Sequence, residues 1–308
     1  MKVFRNIEKN KNIAIALGYF DGVHIGHRKI IKNLIRLSKE NNLKSAVVTF
    51  EKNPANYFNQ NLIPDIQTYK DKEIILEALG VDYVYELDFE EYKNISAFDY
   101  LKNILIENFD PKFIVVGYNH TFGKDKTGTV QFLKDMEINY NYKAIIVPEE
   151  KYKDEIEVSS TSIRQLIQEG ELEKVKPLLG RYFSLRNLVI KGDKLARVLG
   201  YPTANTLWPN TLVKLPYGVY FGFAQIDSKV IPALISWGNK PTLSDGKNEM
   251  LEAHIYNFSE NIYGKIIKII FVQKLRDQEN FGNIRVLKTR LQKDYKHFEA
   301  WARVMSYS

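Results

Sequence analysis

Short apolar runs alternate with amphipathic stretches in the first half of the chain. Apolar residues that recur every three or four positions predict helices, and short continuous apolar runs predict buried strands. The pattern predicts strands over 13–17, 45–50, 81–87, 113–117 and 143–147, and helices over 25–40, 68–79 and 96–108. Strands separated by helices need crossover connections, so we expect an α/β domain with a Rossmann-like parallel sheet that binds ligands beyond the carboxyl ends of its strands.

The pattern changes after about Gly180. Apolar segments of strand length follow over 183–191, 218–226, 229–237, 250–258 and 264–274, with no helical pattern between them. This spacing predicts a small antiparallel β-barrel. Apolar residues at helical spacing from Ile284 to Met305 predict a terminal α-helix that packs one face on the core. We therefore expect two domains, 1–182 and 183–308, with a short helix over 162–170 before the boundary.

Composition limits the class of protein. The 308 residues are 44% hydrophobic and 26% charged, which is ordinary for two folded domains. The chain has no cysteine, so disulfides, iron–sulfur clusters and thiolate zinc sites are excluded. Because no apolar run approaches the ~20 residues of a membrane helix, we expect no membrane partner and a cytoplasmic location.

The net charge of +7 fits a polyanionic partner such as nucleotide phosphates. Lys and Arg are interspersed with Asp and Glu and form no long basic block. That distribution favours a solvated Lys-rich surface over a nucleic-acid patch, and we expect no nucleic-acid partner.

The segment GYFDGVHIGH at residues 18–27 follows the first predicted strand and opens the first predicted helix. The N–H groups of a helix N-terminus attract phosphate, two imidazoles add donors, and glycine lets a nucleotide approach the backbone. The segment therefore predicts a nucleotide-phosphate site, and a metal site is the weaker alternative because no third ligand with suitable spacing is evident. Its candidate residues are His24 and His27 as catalytic groups and Gly18, Phe20, Asp21 and Gly26 as ATP or phosphate ligands.

Two further segments of the first half carry candidate phosphate ligands. Residues 159–164, SSTSIR, place hydroxyls and an arginine at a helix start, which suits departing phosphates; an ordinary Ser/Thr helix cap is the alternative. The loop after strand 113–117 contains Asn119, although loops rich in Gly and Asn are common. We predict Ser160, Thr161, Arg164 and Asn119 as phosphate ligands.

The second half has two candidate segments of its own. In GYPTAN, residues 200–205, Thr203 and Asn205 offer the oxygen ligands that a Mg²⁺–ATP complex accepts, and Gly192 and Gly200 flank a loop suited to phosphates. Glu252 lies in an apolar stretch where a carboxylate can take a proton from an attacking alcohol. A Gly-Pro turn and a solvated sheet face are the respective alternatives.

The paired-histidine segment resembles the nucleotidylyltransferase superfamily. The ordered motifs from about residue 12 to 294 together resemble the bacterial bifunctional riboflavin kinase/FMN adenylyltransferase family, also called FAD synthetase. The resemblance implies that the C-terminal barrel phosphorylates riboflavin to FMN and the N-terminal domain adenylylates FMN to FAD, with ATP and Mg²⁺ in use. It implies that Glu252 is the general base for the ribityl 5′-hydroxyl and that Thr203 and Asn205 hold Mg²⁺ and ATP phosphates.

For adenylylation the resemblance implies that His24 and His27 bind ATP phosphate, that Asn119 contacts nucleotide or FMN phosphate, and that Thr161 and Arg164 assist. The chain departs from the family pattern at several positions, where we expect differences in flavin packing and relative efficiency. These positions are Lys52, Asn53, His120, Ala196, Ser236 and Asn257. An enzyme with one retained activity, most plausibly the adenylyltransferase, and a flavin- or RNA-binding regulator are the alternatives. Assembly into a homo-oligomer also stays open.

Overall fold

The computed structural model describes residues 1–58, 61–152, 156–192, 201–240, 248–281 and 283–306. Ala196 and Gly200, singled out above, lie outside the described residues. The chain forms two compact units, Met1–Ser162 and Ile163–Ser308, each with its own sheet.

The first unit is built on a six-stranded parallel sheet. Its strands are β1 (Lys2–Phe4), β2 (Ile13–Leu17), β3 (Lys44–Phe50), β4 (Tyr83–Leu87), β5 (Phe113–Gly117) and β6 (Lys143–Val147). The strand order is β1-β4-β3-β2-β5-β6. The chain leaves β2 on one side through β3 and returns on its other side as β5. The gap beyond β2 and β5 is therefore the switch point at which open parallel sheets bind ligands.

Helices and turns connect these strands. They are α1 (Ile25–Glu40), α2 (Tyr69–Leu79), α3 (Phe89–Tyr92), α4 (Ala97–Asp99), a π-helical segment (Tyr100–Ile106), α5 (Glu107–Phe109), α6 (Val130–Asp135), α7 (Glu137–Tyr140) and 3₁₀ turns at Asp21–Val23, Pro54–Tyr57 and Lys124–Lys126. A hairpin of β7 (Lys151–Tyr152) and β8 (Ile156–Glu157) follows β6.

Apolar side chains cover both faces of the parallel sheet. One face packs against Leu101, Leu105 and Phe109, and the other against Ile31 and Leu34 of α1. All five residues of β2 are buried, as expected for a central strand covered on both sides. The central strand thus gives the switch point a rigid base.

The second unit contains a six-stranded antiparallel sheet in the order β10-β13-β12-β11-β14-β9. The strands are β9 (Ser184–Leu188), β10 (Ala204–Thr206), β11 (Gly218–Ile226), β12 (Lys229–Lys240), β13 (Asn248–Ile255) and β14 (Ile266–Asp277). A bridge between Ile190, two residues after β9, and Asn205 of β10 connects the two edges of the sheet, so the sheet closes into a small barrel.

Aromatic rings fill the barrel, and a helix covers one side of it. Trp208 lies with its ring centroid 4.6 Å from that of Trp237 and 5.7 Å from that of Phe271. The helices of this part of the chain are α8 (Ser160–Glu169), α9 (Leu172–Leu179) and α10 (Ile284–Ser306). The buried Phe298 of α10 packs on Phe221 of β11. The predicted fold class, a parallel α/β sheet followed by a small antiparallel barrel with a terminal helix, is confirmed.

Several element boundaries differ from prediction for physical reasons. The helix predicted over 96–108 contains a π-helical segment, which apolar spacing alone does not reveal. The strands β1 and β10 have three residues each and are too short to show an alternating pattern. The helix predicted over 162–170 begins earlier, at Ser160.

Candidate active sites

A cavity of about 330 Å³ lies at the switch point of the parallel sheet. Its walls come from the carboxyl ends of β2, β5 and β6, the start of α1 and the residues around the start of α8. The predicted site residues that line it are Gly18, Phe20, His24, Gly26, His27, Asn119 and Ser160. Residues separated by more than a hundred positions in the chain therefore meet around one cavity.

The turn between β2 and α1 holds backbone conformations that L-residues rarely adopt. Phe20 has φ 54° and the branched Val23 has φ 36°, while Gly22 between them has φ 77°. Hydrogen bonds hold the turn: Asp21 Oδ1 accepts from the Ile66 N–H at 2.9 Å, and the Arg28 Nε–H donates to the Val23 carbonyl at 3.2 Å. Such strain persists only where the surroundings fix it, and it is typical of functional sites.

The two histidines form one stacked unit. Their ring centroids lie 3.5 Å apart with an interplanar angle of 21°. His24 caps α1, and its Nδ1 accepts the His27 backbone N–H at 3.3 Å. Because Nδ1 of His24 is an acceptor, the proton of its neutral ring is on Nε2, which is then a donor. A Cβ on Gly26 would lie 3.2 Å from that Nδ1, so glycine gives the His24 ring its room.

His27 stays neutral over the physiological pH range. Burial holds the pKa of its imidazole well below the usual value, and the electrostatic interactions with His24 and Lys72 act in the same direction. A backbone hydrogen bond at Asp21 opposes them. Nδ1 of His27 is buried and has no hydrogen-bond partner among the described residues. The ring lines the cavity and contains a buried polar atom that no described residue satisfies.

Other predicted residues of this set have different places. The Asp21 carboxylate is buried and accepts from Ile66, whereas its carbonyl accepts the Ser160 hydroxyl at 2.9 Å. Thr161 is exposed at the start of α8, and Arg164 belongs to the second unit. These positions leave the roles of Asp21, Thr161 and Arg164 as predictions.

The sequence analysis did not identify two acidic residues of this cavity. Glu149 and Glu150 follow β6 and line the cavity, and Lys29 of α1 forms an ion pair with Glu150 at 2.6 Å. His120 also lines it, and burial lowers the pKa of its imidazole to about 4. Their position after predicted strands does not by itself indicate a site, because it does not show which strands lie side by side in the sheet.

A group of aromatic rings at the carboxyl ends of β3 and β4 was also missed. The Phe89 ring centroid lies 5.1 Å from those of Phe50 and Tyr57 and 5.8 Å from that of Phe58. Phe58 is 70% exposed, which is unusual for so large an apolar side chain. The rings meet Phe89 edge-on or tilted, with interplanar angles of 87°, 51° and 81°, and Phe58 leaves most of its apolar surface exposed to a ligand.

The second unit has a cavity of about 510 Å³ of its own. Gly192, Thr203, Asn205 and Glu252 all line it. Asn205 of β10 and Glu252 of β13 are direct cross-strand partners, so the antiparallel register sets the amide beside the carboxylate. The segment from Ser259 to Tyr263 forms another wall, which the sequence analysis did not predict.

The Asn205 side chain is held so that its oxygen is available. Its Nδ2–H donates to the Thr203 carbonyl at 3.2 Å, and its buried Oδ1 accepts from none of the described residues. A Cβ on Gly192 would lie 2.5 Å from Asn205 Cγ, so glycine is needed there. A buried carbonyl oxygen beside a threonine fits a hard cation such as Mg²⁺. Within the described part of the chain, no group of three His, Asp or Glu side chains has the arrangement of a metal site, so phosphates and water would complete the shell.

Aromatic contacts fix the segment that carries Thr203. His254 Nδ1 lies 2.9 Å from the Pro202 carbonyl oxygen and therefore carries the proton. The His254 ring contacts those of Tyr201 and Tyr295, with centroids 5.9 and 5.2 Å away. Burial lowers the pKa of His254, so the ring is neutral at pH 7. The segment before Thr203 is thus tied to β13 and to the terminal helix.

Comparisons with known proteins match both units. A family model described as FAD synthetase matches residues 6–162, and one described as riboflavin kinase matches residues 179–302. Two similar proteins carry the name bifunctional riboflavin kinase/FMN adenylyltransferase. One, from Buchnera aphidicola subsp. Schizaphis graminum, is 35% identical over 96% of each chain; the other, from Bacillus subtilis, is 31% identical over 93% of this chain and 92% of its own.

A solved structure supports the same fold. The crystal structure titled macrolide-efflux protein from Streptococcus pneumoniae superposes with a TM-score of 0.86 at 29% identity, covering 97% of this chain and 99% of its own. No helix in the described part of this chain has the length and apolarity that a membrane crossing requires. The two matched family models disfavour a single retained activity. The chain belongs to the bifunctional riboflavin kinase/FMN adenylyltransferase family, an enzyme that makes FMN from riboflavin and ATP and then FAD from FMN and ATP.

Proposed function

We propose that adenylyl transfer takes place in the cavity around His24 and His27, and riboflavin phosphorylation in the cavity around Asn205 and Glu252. The observation that carries this placement is that each cavity gathers the predicted motif residues of one family domain from distant segments. We place the functional boundary at residues 182/183. The two family matches leave residues 163–178 between them, and the second match begins at residue 179, a few residues before this proposed boundary.

In adenylyl transfer, an FMN phosphate oxygen bonds to the α-phosphorus of ATP. The bond from that phosphorus to the α–β bridging oxygen breaks, and pyrophosphate leaves with the electron pair. The α1 N-terminus and the His24 Nε2–H bind phosphate oxygens, and His27 adds a neutral imidazole to the same wall. Asn119 and Ser160 contact phosphate from the opposite segments, and Gly18, Phe20 and Gly26 shape the wall. Catalysis then rests on positioning and on stabilisation of charge.

The exposed aromatic cluster gives FMN a place for its ring system. Phe58 stands with 70% of its surface exposed beside Phe89. Stacking of an isoalloxazine on an aromatic side chain buries apolar area from both partners. We expect the flavin ring to stack on Phe58 during adenylyl transfer.

In riboflavin phosphorylation, the ribityl 5′-oxygen bonds to the γ-phosphorus of ATP and ADP leaves. Glu252 takes the proton of that hydroxyl, because its carboxylate faces the cavity beside Asn205. Because Gly192 has no side chain, the Asn205 amide can occupy the space beside it. The loop from Ser259 to Tyr263 closes another side of the cavity against water.

Thr203 and Asn205 would hold Mg²⁺ together with the ATP phosphates. When bound, the cation neutralises charge on those phosphates. Asn205 Oδ1 is buried and accepts no hydrogen bond from the described residues, which supports this assignment. A cytoplasmic location, absence of a nucleic-acid partner and assembly into a homo-oligomer stay predictions.

Two substitutions test the placement. Glu252→Gln keeps the size and loses the base, so FMN formation from riboflavin should fall at least ~100-fold while FAD formation from supplied FMN is unchanged. His27→Asn should lower FAD formation ~100-fold and leave FMN formation intact. Chromatography of fluorescent flavins, started separately from riboflavin and from FMN, measures both.

Matched controls use residues of the same type elsewhere. Glu299→Gln and the exposed His297→Asn lie on α10 and should change neither reaction. Equal loss of both activities in either test variant would contradict separate sites. If His27→Asn forms FAD at a rate within threefold of wild type, the placement of adenylyl transfer in this cavity is contradicted.

A further inference from the structure

Lys72 is a buried amine that none of the steps above uses. It lies in the first turn of α2 and is 3% exposed. Its Nζ–H groups donate to the Tyr19 carbonyl at 3.1 Å and to Thr49 Oγ1 at 3.4 Å. A fully buried lysine is rare, because burying its charge costs free energy unless the charge is paired or hydrogen-bonded.

These hydrogen bonds close a triangle on the turn that forms the adenylylation cavity. The Thr49 hydroxyl also donates to the Tyr19 carbonyl, at 3.1 Å. Tyr19 lies between Gly18 and Phe20, and all three line the cavity. The next residues carry the strained positive φ angles, so the fixed Tyr19 carbonyl anchors the start of a turn that needs outside support.

Aromatic rings and carboxylates surround the ammonium group. It lies 4.4 Å from the ring centroid of Tyr19 and 5.1 Å from that of Tyr69. The carboxylates that act on it are Glu86 of β4, Asp21 of the turn, Asp65 before α2 and Glu73 of α2. Burial lowers the pKa of Lys72 to about 8 in spite of them, so most of the group is still cationic at pH 7.

The charge of Lys72 also reaches the paired histidines. It is one of the groups that lower the pKa of His27, together with burial and His24, against the backbone hydrogen bond at Asp21. A cation behind the wall favours bound phosphate and disfavours the imidazolium. Thr49 and Lys72 both donate a hydrogen bond to the Tyr19 carbonyl. The lysine differs from the threonine in that it also carries a positive charge.

We propose that Lys72 is a positioning residue for adenylyl transfer: it holds the Tyr19 carbonyl and places a buried positive charge behind the wall of the cavity that carries His24 and His27. The proposal rests on the placement of adenylyl transfer in the His24–His27 cavity. Lys72 does not line that cavity, and among its hydrogen bonds to described residues the one to the Tyr19 carbonyl reaches the cavity wall, so it acts through its neighbours.

Three variants separate the charge from the hydrogen bonds. Lys72→Met removes the charge at similar length, Lys72→Arg keeps the charge, and Thr49→Val removes the other hydrogen bond to Tyr19. FAD formation from FMN and ATP is measured from pH 5 to 9, and NMR follows the titration of the His27 imidazole. Circular dichroism of the same samples, which includes the first unit, shows whether that unit is folded, and riboflavin phosphorylation shows that the second unit is intact.

We expect Lys72→Met to lower kcat for FAD formation at least ~10-fold. Loss of a neighbouring cation makes protonation of His27 easier, so the His27 pKa should rise and the acid limb of the rate profile should move to higher pH. Lys72→Arg and Thr49→Val should keep the His27 titration close to that of wild type. Riboflavin phosphorylation should be unchanged in all three.

Two results overturn the proposal. One is a Lys72→Met protein with an unchanged His27 titration, which would make the amine a packing group only. The other is a shifted titration with unchanged FAD formation, which would show that the coupling has no catalytic use. A His27→Asn control distinguishes the deeper failure: if that variant makes FAD at the wild-type rate, the cavity itself is misassigned and the Lys72 proposal falls with it.

Discussion

Arg276 of the last barrel strand forms a buried salt bridge with Asp294 of the terminal helix. Its Nε–H and Nη2–H donate to Asp294 Oδ2 at 2.9 and 2.6 Å, and Asp294 is 2% exposed. Arg290, one turn earlier on the same helix, lies 3.7 Å from Oδ1. Removal of one partner leaves the other charge buried without compensation, which is far costlier than the pair itself is stabilising.

Asp294→Ala should therefore lower the free energy of unfolding of the second unit by about 3 kcal/mol. All three tryptophans, Trp208, Trp237 and Trp301, belong to this unit, so tryptophan fluorescence in urea reports on it alone. Glu299→Ala is the matched control. It breaks a largely exposed pair with Arg303 on the same helix and should change the free energy by less than ~0.5 kcal/mol. Equal effects of the two variants would contradict the role of Asp294.

The sequence predicts the long, periodic elements well. The helix predicted over 25–40 coincides with α1, because its buried Ile30, Leu34 and Leu37 recur at helical spacing. It does not predict the buried Lys72, because a charged residue in an amphipathic pattern is assigned to the solvent face. That side chain is buried only through tertiary contacts with the turn after β2.

Site residues could be predicted from the sequence where one short segment contains several of them. His24 and His27 lie three residues apart in the chain, and the capping of α1 by His24 brings their rings together. Glu149 and Glu150 could not be predicted, because their approach to α1 depends on the position of β6 beside β5 in the sheet. Strand order is a property of the whole unit and leaves no local pattern.

His120 should make the first unit sensitive to acid. Its folded-state pKa of about 4 lies below the usual 6.5, so the unfolded chain binds more protons between these values. The stability that the neutral ring supports is complete above pH 6.5 and is lost as the pH falls towards 4. Nε2 of His120 is buried without a partner among the described residues. His120→Phe should therefore raise the free energy of unfolding at pH 5 by about 1–2 kcal/mol relative to its effect at pH 7.

Urea unfolding followed by circular dichroism at the two pH values measures this difference. The exposed His297→Phe on α10 is the control and should show no gain at pH 5. A His120→Phe gain that is the same at both pH values would mean that packing, rather than titration, is responsible.

Gly192→Ala should disable riboflavin phosphorylation. The new Cβ would lie 2.5 Å from Asn205 Cγ, a distance that forces the amide out of place. We expect a loss of about 100-fold in FMN formation, since a misplacement near 1 Å has this order of cost. FAD formation from supplied FMN should be unchanged.

A double substitution shows whether Asn205 carries this effect. If Gly192→Ala acts by moving the amide, adding it to Asn205→Ala should cause little further loss, because both changes remove the same interaction. Independent, multiplying losses would contradict the mechanism.

Gly26→Ala should stabilise helix α1 and lower the rate of FAD formation. Gly26 is the second residue of α1 and does not have a positive φ, so alanine fits the backbone and is favoured there by up to ~1 kcal/mol. However, its Cβ would lie 3.2 Å from His24 Nδ1, so the ring must move by a few tenths of an ångström. That smaller shift predicts a loss of only about 3- to 10-fold in FAD formation, with FMN formation unchanged. Circular dichroism, which includes the tryptophan-free first unit, should show an unchanged or higher Tm. A lower Tm together with lost activity would mean that Gly26 is needed for folding, and an unchanged rate of FAD formation would mean that the position of the His24 ring does not limit the reaction.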